Sequence, residues 1–526
     1  MTNSTSETDR SRLLILASVC LAAVVLPLSF SGGAVATPAI GRDLGGSPAA
    51  LTWITNAFML SFGSLLMAAG ALADEFGRKR LFILGMALFI VVSLALSFAP
   101  TVAWLDVLRA IQGVAAAASL SSGSAALAQE FEGHARTRAF SLLGTSFGVG
   151  LAFGPLLAGA LIDVFGWRSI FMTTAGIAAL ALVFGAPRMR ETRNPNAAGL
   201  DWPGTLTFTG TLALFTFGVI QAPESGWTSP FVVALLAASL IFLAAFIWVE
   251  TRVARPMLDL SLFRYPRFVG VQMLPIGTCY CYIVLVVLLP LRFIGMGGLS
   301  EIDAGWLMLA LSAPMLVIPL AVATLVRWIS AGVLSGIGFL IAAIGLYWLS
   351  NIGVGEPGHA VVIPMFLIGV GASMPWGLMD GLSVSVVPKE RAGMATGIFN
   401  TTRVAGEGIA LAIAVAMLSA FAQSGLQSAL SKNGPIAIAR INEAAQRVAA
   451  GDLLHASASL PEVSPDILIS SYAGAFQSLL HTLIAITVLS AIAAFLFLSR
   501  TPLTGSDSED SPSLVDATVT PEYAET

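Results

Sequence analysis

Apolar residues occur in long runs along this chain, and short polar stretches rich in glycine and charged residues separate the runs. A helix needs about 20 apolar residues to cross the hydrocarbon core of a bilayer. Fourteen runs approach or exceed that length, near 13–36, 50–72, 81–99, 103–128, 138–162, 167–187, 202–221, 229–249, 268–291, 303–326, 329–350, 360–386, 393–420 and 472–499. The pattern predicts an all-α integral membrane protein, and the runs are called spans 1 to 14 in this order.

The lengths of the connections indicate how the spans are grouped. The loops at 188–201 and 250–267 flank spans 7 and 8, which predicts six spans, an inserted pair and six more. A weak repeat, "RAFSLLG" at 138–144 and "RAGMATG" at 391–397, supports two related halves. The predicted segments are an N-terminal tail at 1–12, a six-helix bundle at 13–187, a linker with two extra helices at 188–267, a second six-helix bundle at 268–499 and a disordered acidic tail at 500–526.

A long polar loop is predicted at 421–471, between spans 13 and 14. Within it Ile438, Ile441, Ala445 and Val448 recur at the spacing of one helix face. This spacing predicts a short amphipathic helix on the surface.

Basic residues in the loops predict the orientation, because cytoplasmic loops carry an excess of lysine and arginine. Arg78, Lys79 and Arg80 lie together between spans 2 and 3, and most of the 26 basic residues fall on the same side. Both termini are therefore expected in the cytoplasm, with the spans in a bacterial inner membrane. Arg10, Arg12 and the following apolar run resemble a signal peptide, but the run is too long for one.

The composition agrees with a membrane protein and excludes several other classes. The chain has 526 residues, of which 56% are hydrophobic and 11% charged, whereas soluble domains carry about 25% charged residues. No basic patch for nucleic acid is present. The three cysteines lie inside apolar runs without metal or disulfide spacing, and no Walker A motif occurs. We expect neither an enzyme nor a metal or cofactor site.

Ionisable groups inside membrane helices are costly and are therefore functional candidates. The spans contain Asp106 and Arg109 on span 4, Asp380 on span 12, Arg403 and Glu407 on span 13, and His481 on span 14. Asp106 and Arg109 are spaced to pair on one helix face, and so are Arg403 and Glu407. A carboxyl group whose burial and neighbouring charges change is suited to carry a proton. His481 is interpreted as a packed core histidine.

The turn "GALADEFGRKR" (Gly70–Arg80) resembles the loop signature of the major facilitator superfamily. The matching residues are Gly70, Leu72, Ala73, Asp74, Gly77, Arg78 and Lys79. Further matches follow in order. "LRAIQGVAAA" contains Arg109, Gln112 and Gly113, and "GVGLAFGPLLAG" contains Gly150, Gly154, Pro155 and Gly159. "GWRSIF" at 166–171, "RPMLDLSLFR" at 255–264 and "GIFNTTRVAGEGIALAI" at 397–413 also resemble the fourteen-span drug:proton antiporter branch.

This resemblance implies a major facilitator fold, with two six-helix bundles plus two inserted helices that rock about a central cavity. Spans 1, 4, 9 and 12 would line the cavity, and span 2 would pack beside span 13. Asp74 would then act as a latch that caps the N-terminus of span 13, where the helix dipole favours negative charge. The glycines of span 5 would form a seal against proton leak.

One departure from the branch concerns span 1, where many members carry an acid about nine residues before a "P-x-I" element. Here that element is Pro38–Ile40 and the matching position is Ser29. The proton site is therefore expected elsewhere, at Asp106 first and at Asp380 or Glu407 as alternatives. The candidate cavity residues are Asn56, Trp104, Gln112, Gln272, Tyr280, Tyr282, Trp376 and Asn400.

The expected function is multidrug efflux, the export of a small organic molecule in exchange for protons, with antibiotic resistance as its outcome. A siderophore or metabolite exporter, an importer on the same fold, and a membrane receptor or scaffold stay open as alternatives. The expected partners are the substrate, protons and the lipid bilayer, with a periplasmic adaptor left open and a monomer expected.

Overall fold

The computed structural model of the chain describes residues 2–131, 133–192, 201–253, 258, 260–356, 358–386, 392–430 and 438–499. All regular structure in these residues is helical. Thirteen of the described helices are long and apolar enough to cross a membrane, and a bent pair at Leu142–Leu151 and Phe153–Phe165 makes a fourteenth span. The fourteen predicted spans are thus confirmed, whereas the predicted acidic tail at 500–526 lies outside the described residues.

The helices follow the predicted order. Spans 1 to 6 are Thr2–Leu44, Pro48–Phe76, Arg78–Ser97, Val102–Glu130, Gly133–Phe165 and Arg168–Gly185. Spans 7 and 8 are Trp202–Ser225 and Pro230–Glu250. Spans 9 to 14 are Pro266–Met296, Glu301–Leu325, Ala331–Ser350, Gly358–Ser385, Ala392–Leu430 and Pro465–Leu498. Short helices at Leu260–Arg264, Ile438–Ala449 and Leu453–Ser459 lie in the connections.

Two boundaries differ from the prediction. The first helix begins at Thr2, so the predicted tail at 1–12 is helical from that residue on, and the apolar part long enough to cross a membrane begins at Ser11. Span 13 extends to Leu430 and span 14 begins at Pro465, so the outer loop is shorter than 421–471. The extra turns of span 13 are supported from the loop, because Gln423 Nε2 donates to Asn442 Oδ1 at 2.7 Å.

Two seams join the first six spans to the last six. Span 2 packs against span 13, as expected, and span 5 packs against span 10. Glycine allows the close approach at the first seam, since a Cβ placed on Gly63 would lie 2.7 Å from Ala405 Cα. Small residues at such crossings let membrane helices pack backbone to backbone.

The inserted pair, spans 7 and 8, lies beside the first seam. Span 7 contacts both span 2 and span 13. Thr209 Oγ1 donates to the Ser64 carbonyl at 3.2 Å, and the rings of Trp53 and Phe217 meet edge to face at 5.2 Å. The pair thus covers one side of the junction between the two halves.

Span 9 contains two π-helical segments, Cys279–Ile283 and Leu291–Met296, which the apolar pattern did not predict. Tyr282 in the first segment donates its hydroxyl to Ser312 Oγ in span 10 at 3.2 Å. π-Helical turns are rare and frequent at functional sites. The wider turn brings side chains of span 9 to positions that a regular helix would not give them.

Candidate functional site

Arg109 is the centre of a buried polar network in the first half. Its side chain is 0% exposed. Nε donates to the Ile54 carbonyl at 2.7 Å, and Nη1 donates to Ser29 Oγ at 3.0 Å and Gln112 Oε1 at 2.7 Å. Gln112 Nε2 donates in turn to Ser93 Oγ at 2.7 Å. The network joins spans 1 to 4, so Gln112 serves the interior of the first half.

The predicted pair of Asp106 and Arg109 does not form. Among the residues that the structure describes, no ion pair joins the two side chains, and Asp106 Oδ1 is buried without a hydrogen-bond partner. Arg109 extends toward spans 1 and 2, where a backbone carbonyl and neutral side chains receive its N–H groups. The prediction failed because i,i+3 spacing only makes a pair possible, whereas the side chain here extends to acceptors on the neighbouring helices.

A second network lies in the other half, around Arg403 on span 13. Nη1 contacts Asp380 Oδ1 at 3.2 Å and Nη2 donates to Asn400 Oδ1 at 3.0 Å. Phe147 of span 5 stacks on Trp376 with 6.3 Å between ring centroids, and the guanidinium lies 5.4 Å from the Phe147 ring. This arrangement brings spans 5, 12 and 13 together across the two halves.

Glu407 lies one turn beyond Arg403, at the spacing that permits an ion pair, but among the described residues no direct ion pair joins the two. Arg403 instead binds Asp380, on the neighbouring helix. Glu407 is 2% exposed, and within the described part of the chain its Oε1 has no hydrogen-bond partner. Two of the three candidate proton carriers, Asp106 in the first half and Glu407 in the second, thus have a buried carboxyl oxygen without a hydrogen-bond partner among the described residues.

A small cavity of about 30 Å³ lies between spans 1 and 2 of the first half and spans 9 and 13 of the second. Asn56 lines it and is 2% exposed, and neither of its amide atoms has a partner among the described residues. Ala449 and Ala450 of the outer loop close one side of the cavity. The predicted amphipathic helix, confirmed at Ile438–Ala449, thus packs over the space between the two halves.

Among the other predicted cavity residues, some are buried between the helices and one is exposed on the outside of the bundle. Gln272 is buried with both amide atoms unpartnered among the described residues, and Tyr280 is half-buried in the π-helical part of span 9. Trp104 is 53% exposed on the same side of span 4 as Val107 and Ile111. That side is an exposed apolar stripe, so the prediction that Trp104 lines the cavity is wrong.

The backbone of the polar turn at Gly70–Arg80 adopts a conformation that requires glycine at one position. Gly77 has a φ of 112° and separates spans 2 and 3, which favours glycine because it has no Cβ. Asp74 Oδ1 accepts hydrogen bonds from Arg78 Nε at 3.0 Å and Nη2 at 2.7 Å. Residues 387–391, which precede span 13, lie outside the described residues. The latch between Asp74 and that helix end stays a prediction.

The glycine motif of span 5 has a packing role on two sides. A Cβ on Gly150 would lie 2.6 Å from Pro27 Cγ, and one on Gly154 would overlap Ser31, so both glycines hold span 5 against span 1. A Cβ on Gly159 would meet the backbone of Glu301 at the beginning of span 10. The motif therefore lies at contacts within the first half and between the halves, and its role as a proton seal stays a prediction.

Two ion pairs at the helix ends opposite the Gly70–Arg80 turn were missed. Asp43 Oδ2 accepts from Trp167 Nε1 at 3.0 Å and from Arg168 Nη1 at 2.7 Å, which explains the "GWRSIF" motif. Arg42 pairs with Glu301 and so links span 1 to span 10 across the halves. The signal was present in the sequence, since Arg42 and Arg168 are among the few basic residues in short outer loops.

Many apolar helices in two packed halves, with buried ionisable groups in each, define a multi-pass membrane transport protein. The model of the Major Facilitator Superfamily matches residues 19–411, and the chain belongs to that superfamily. Its members are transporters and not enzymes.

Relatives with names that refer to drugs or antibiotics match most of the chain. Multidrug resistance protein Stp of Mycobacterium tuberculosis is 30% identical over 434 residues, covering 82% of this chain and 80% of the relative. Cephamycin export protein CmcT of Amycolatopsis lactamdurans is 33% identical over 426 residues, covering 78% and 86%.

Solved structures confirm the fold. A D-xylose-proton symporter superposes with a TM-score of 0.60 at 15% identity, covering 94% of this chain and 99% of that one. An inward-facing bacterial homologue of the human lysosomal transporter Spinster superposes with a TM-score of 0.58 at 15% identity, covering 94% and 98%. At these identities the likeness extends to the fold alone.

Proposed function

We propose that this protein exports small organic molecules in exchange for protons, by alternating access to a cavity between its two halves. The names of its relatives, which refer to multidrug resistance and to antibiotic export, support the direction and the substrate class. The proton gradient drives the cycle without a cofactor. The protein acts as a monomer in a bacterial inner membrane with both termini in the cytoplasm, as its basic loops favour.

The burial of Glu407 without a hydrogen-bond partner is the observation on which the proposed coupling to protons rests. It lies on span 13, which packs against span 2 of the other half, and its buried Oε1 has no partner among the described residues. A carboxyl group buried in this way is most stable when neutral, because desolvation penalises the charged form. When the halves separate and water enters, the group is able to ionise and release its proton. Asp106 is the second candidate for the same reason.

The test uses proteoliposomes with an imposed proton gradient and a panel of fluorescent cationic, neutral and anionic compounds. Wild-type protein is expected to move at least one compound against its concentration gradient, and an uncoupler is expected to stop this movement. Glu407→Gln is expected to lose the gradient-driven movement while it still exchanges labelled for unlabelled substrate. Glu443→Gln, on the outer-loop helix, is the matched control and is expected to behave as wild type.

Two results would contradict this proposal. Gradient-driven, uncoupler-sensitive transport by Glu407→Gln would exclude that residue and leave Asp106→Asn as the variant to measure. Movement of substrate and protons in the same direction would make the protein a symporter, a function that the same fold also supports.

A further inference from the structure

We propose that Arg109 binds an anionic group of the transported molecule, so that organic acids are among the substrates. This inference rests on the proposed export function and adds the chemical class of the substrate. It begins from a buried guanidinium that forms no direct ion pair in the described part of the chain, although Asp106 on the same span interacts with it electrostatically.

The guanidinium of Arg109 is fully buried, and its hydrogen-bond acceptors are all neutral. They are the carbonyl of Ile54, the hydroxyl of Ser29 and the amide oxygen of Gln112. No acidic side chain pairs with Arg109 in the described part of the chain. The Phe58 ring lies 4.4 Å from the guanidinium carbon and stabilises the cation only in part. A buried charge without a directly bound partner of opposite sign is destabilising, more so within a membrane.

One N–H group of the guanidinium is left without an acceptor. Nη2 is buried and has no hydrogen-bond partner among the described residues. Gly33 of span 1 faces it, and a Cβ placed on Gly33 would lie 3.1 Å from Nη2. The three nearest atoms to that position all belong to Arg109. An oxygen atom near this point would be within hydrogen-bond distance of Nη2 and would meet a positive charge.

Chain neighbours of the residues around Nη2 line the cavity between the halves. Ala34 follows Gly33 on span 1, and Asn56 follows Ile54 by two residues on span 2; both line the cavity. A molecule in an enlarged form of that cavity therefore needs only to pass one residue of span 1 to present an acidic group to Nη2. Arginine suits this task because it stays charged and binds carboxylates through directed N–H groups.

The side chain at position 29 decides whether the charge is available. Ser29 Oγ lies 3.0 Å from Nη1. A carboxylate at this position would be a resident counter-ion and would compete with an acidic ligand. Serine contributes a neutral hydroxyl, so that Arg109 is compensated only by the electrostatic interaction with Asp106 on its own span.

The binding test compares 2-naphthoate with 2-naphthamide, which have nearly the same shape and differ in charge. Thermal unfolding of the purified full-length protein is measured with each compound, because a ligand of the folded state raises the Tm as its concentration exceeds Kd. We expect naphthoate to raise the Tm in a saturable way and naphthamide to have no effect. Benzoate and 1-hydroxy-2-naphthoate extend the comparison to acids of other sizes.

Four variants locate the effect. Ser29→Asp is expected to weaken naphthoate binding at least tenfold and to raise the Tm without ligand, because the new carboxylate neutralises Arg109. Ser29→Asn, the uncharged control of similar size, is expected to keep the response. Gly33→Ala fills the space before Nη2 and is expected to lose it. Gly176→Ala, where an added Cβ meets nothing within 4 Å, is expected to match wild type.

Several outcomes would overturn the proposal. These are no stabilisation of wild type by any of the three acids, an unchanged response in Ser29→Asp, or equal stabilisation by chloride alone, which would indicate a site for an inorganic ion. The transport assay separates this inference from the proposed function. Uncoupler-sensitive export of only cationic or neutral compounds would reject the acid site and retain the antiporter. Acid binding without any proton-driven transport would retain the acid site and reject the antiporter.

Discussion

The seam between spans 2 and 13 offers a direct test of how the two halves are held together. A Cβ on Gly63 would lie 2.7 Å from Ala405 Cα and 2.9 Å from Ala405 N, whereas real Cβ contacts essentially never fall below 3.0 Å. The obstructing atoms are backbone, so no side-chain rotation relieves the overlap. In Gly63→Ala the two helices must move apart.

The expected size of the effect follows from overpacking. Adding a methyl group to a packed contact of this kind costs typically about 1–3 kcal/mol. If the halves are free to separate, this destabilisation affects only the form in which spans 2 and 13 are packed together. A free-energy difference of about 1.4 kcal/mol changes the ratio of the packed and separated forms tenfold. Gly63→Ala should therefore favour forms in which the cavity between the halves is open.

The assay measures how fast a cysteine in that cavity reacts with a water-soluble maleimide. Thr37 lines the cavity and is 8% exposed. It is replaced by cysteine in a protein whose own cysteines, Cys20, Cys279 and Cys281, have been removed. We expect Gly63→Ala to raise the labelling rate about tenfold, while Gly176→Ala leaves it unchanged. Equal rates in the two variants would refute the view that this contact keeps the cavity closed.

Three further predictions concern other contacts. Asp380→Asn leaves the buried Arg403 without its acid and is expected to destabilise the protein by about 1–3 kcal/mol in thermal unfolding. Adding Arg403→Gln should recover part of this lost stability. An equal loss of stability in the double variant would argue against the pair. Asp74→Asn should reduce transport at normal membrane levels, and normal transport would remove the latch. In Gly295→Ala the added Cβ would overlap the carbonyl of Gly451. The loop should then be displaced and proteolysed faster, whereas an unchanged rate of proteolysis would show that this contact does not hold the loop.

The sequence alone was sufficient for the class of fold and for the family. Each span is an apolar run whose length is set by the bilayer, so its existence is a local property of the chain. The turn from Gly70 to Arg80 and the glycines of span 5 have short, ordered motifs that local spacing reveals. The packing of span 2 beside span 13 followed from the resemblance that these motifs support.

The partners of the buried charges could not be obtained in this way. Arg109 and Arg403 have long side chains that reach across helices, and each has acids or amides at helical spacing on its own span. Helical spacing shows which pairs are possible, but the choice depends on acceptors from segments far away in sequence, such as Ser29 and Ile54. Trp104 is a similar case, because an aromatic residue on a membrane helix suits a cavity wall as well as the membrane interface.

The chain by itself thus determined that fourteen apolar helices cross a membrane, because hydrophobic length is read residue by residue. Only the tertiary structure decided which ionisable groups meet, because a contact between helices depends on how distant segments pack. That packing leaves Arg109 among neutral acceptors and Glu407 without a partner among the described residues. Both proposals on the chemistry of transport depend on these two placements.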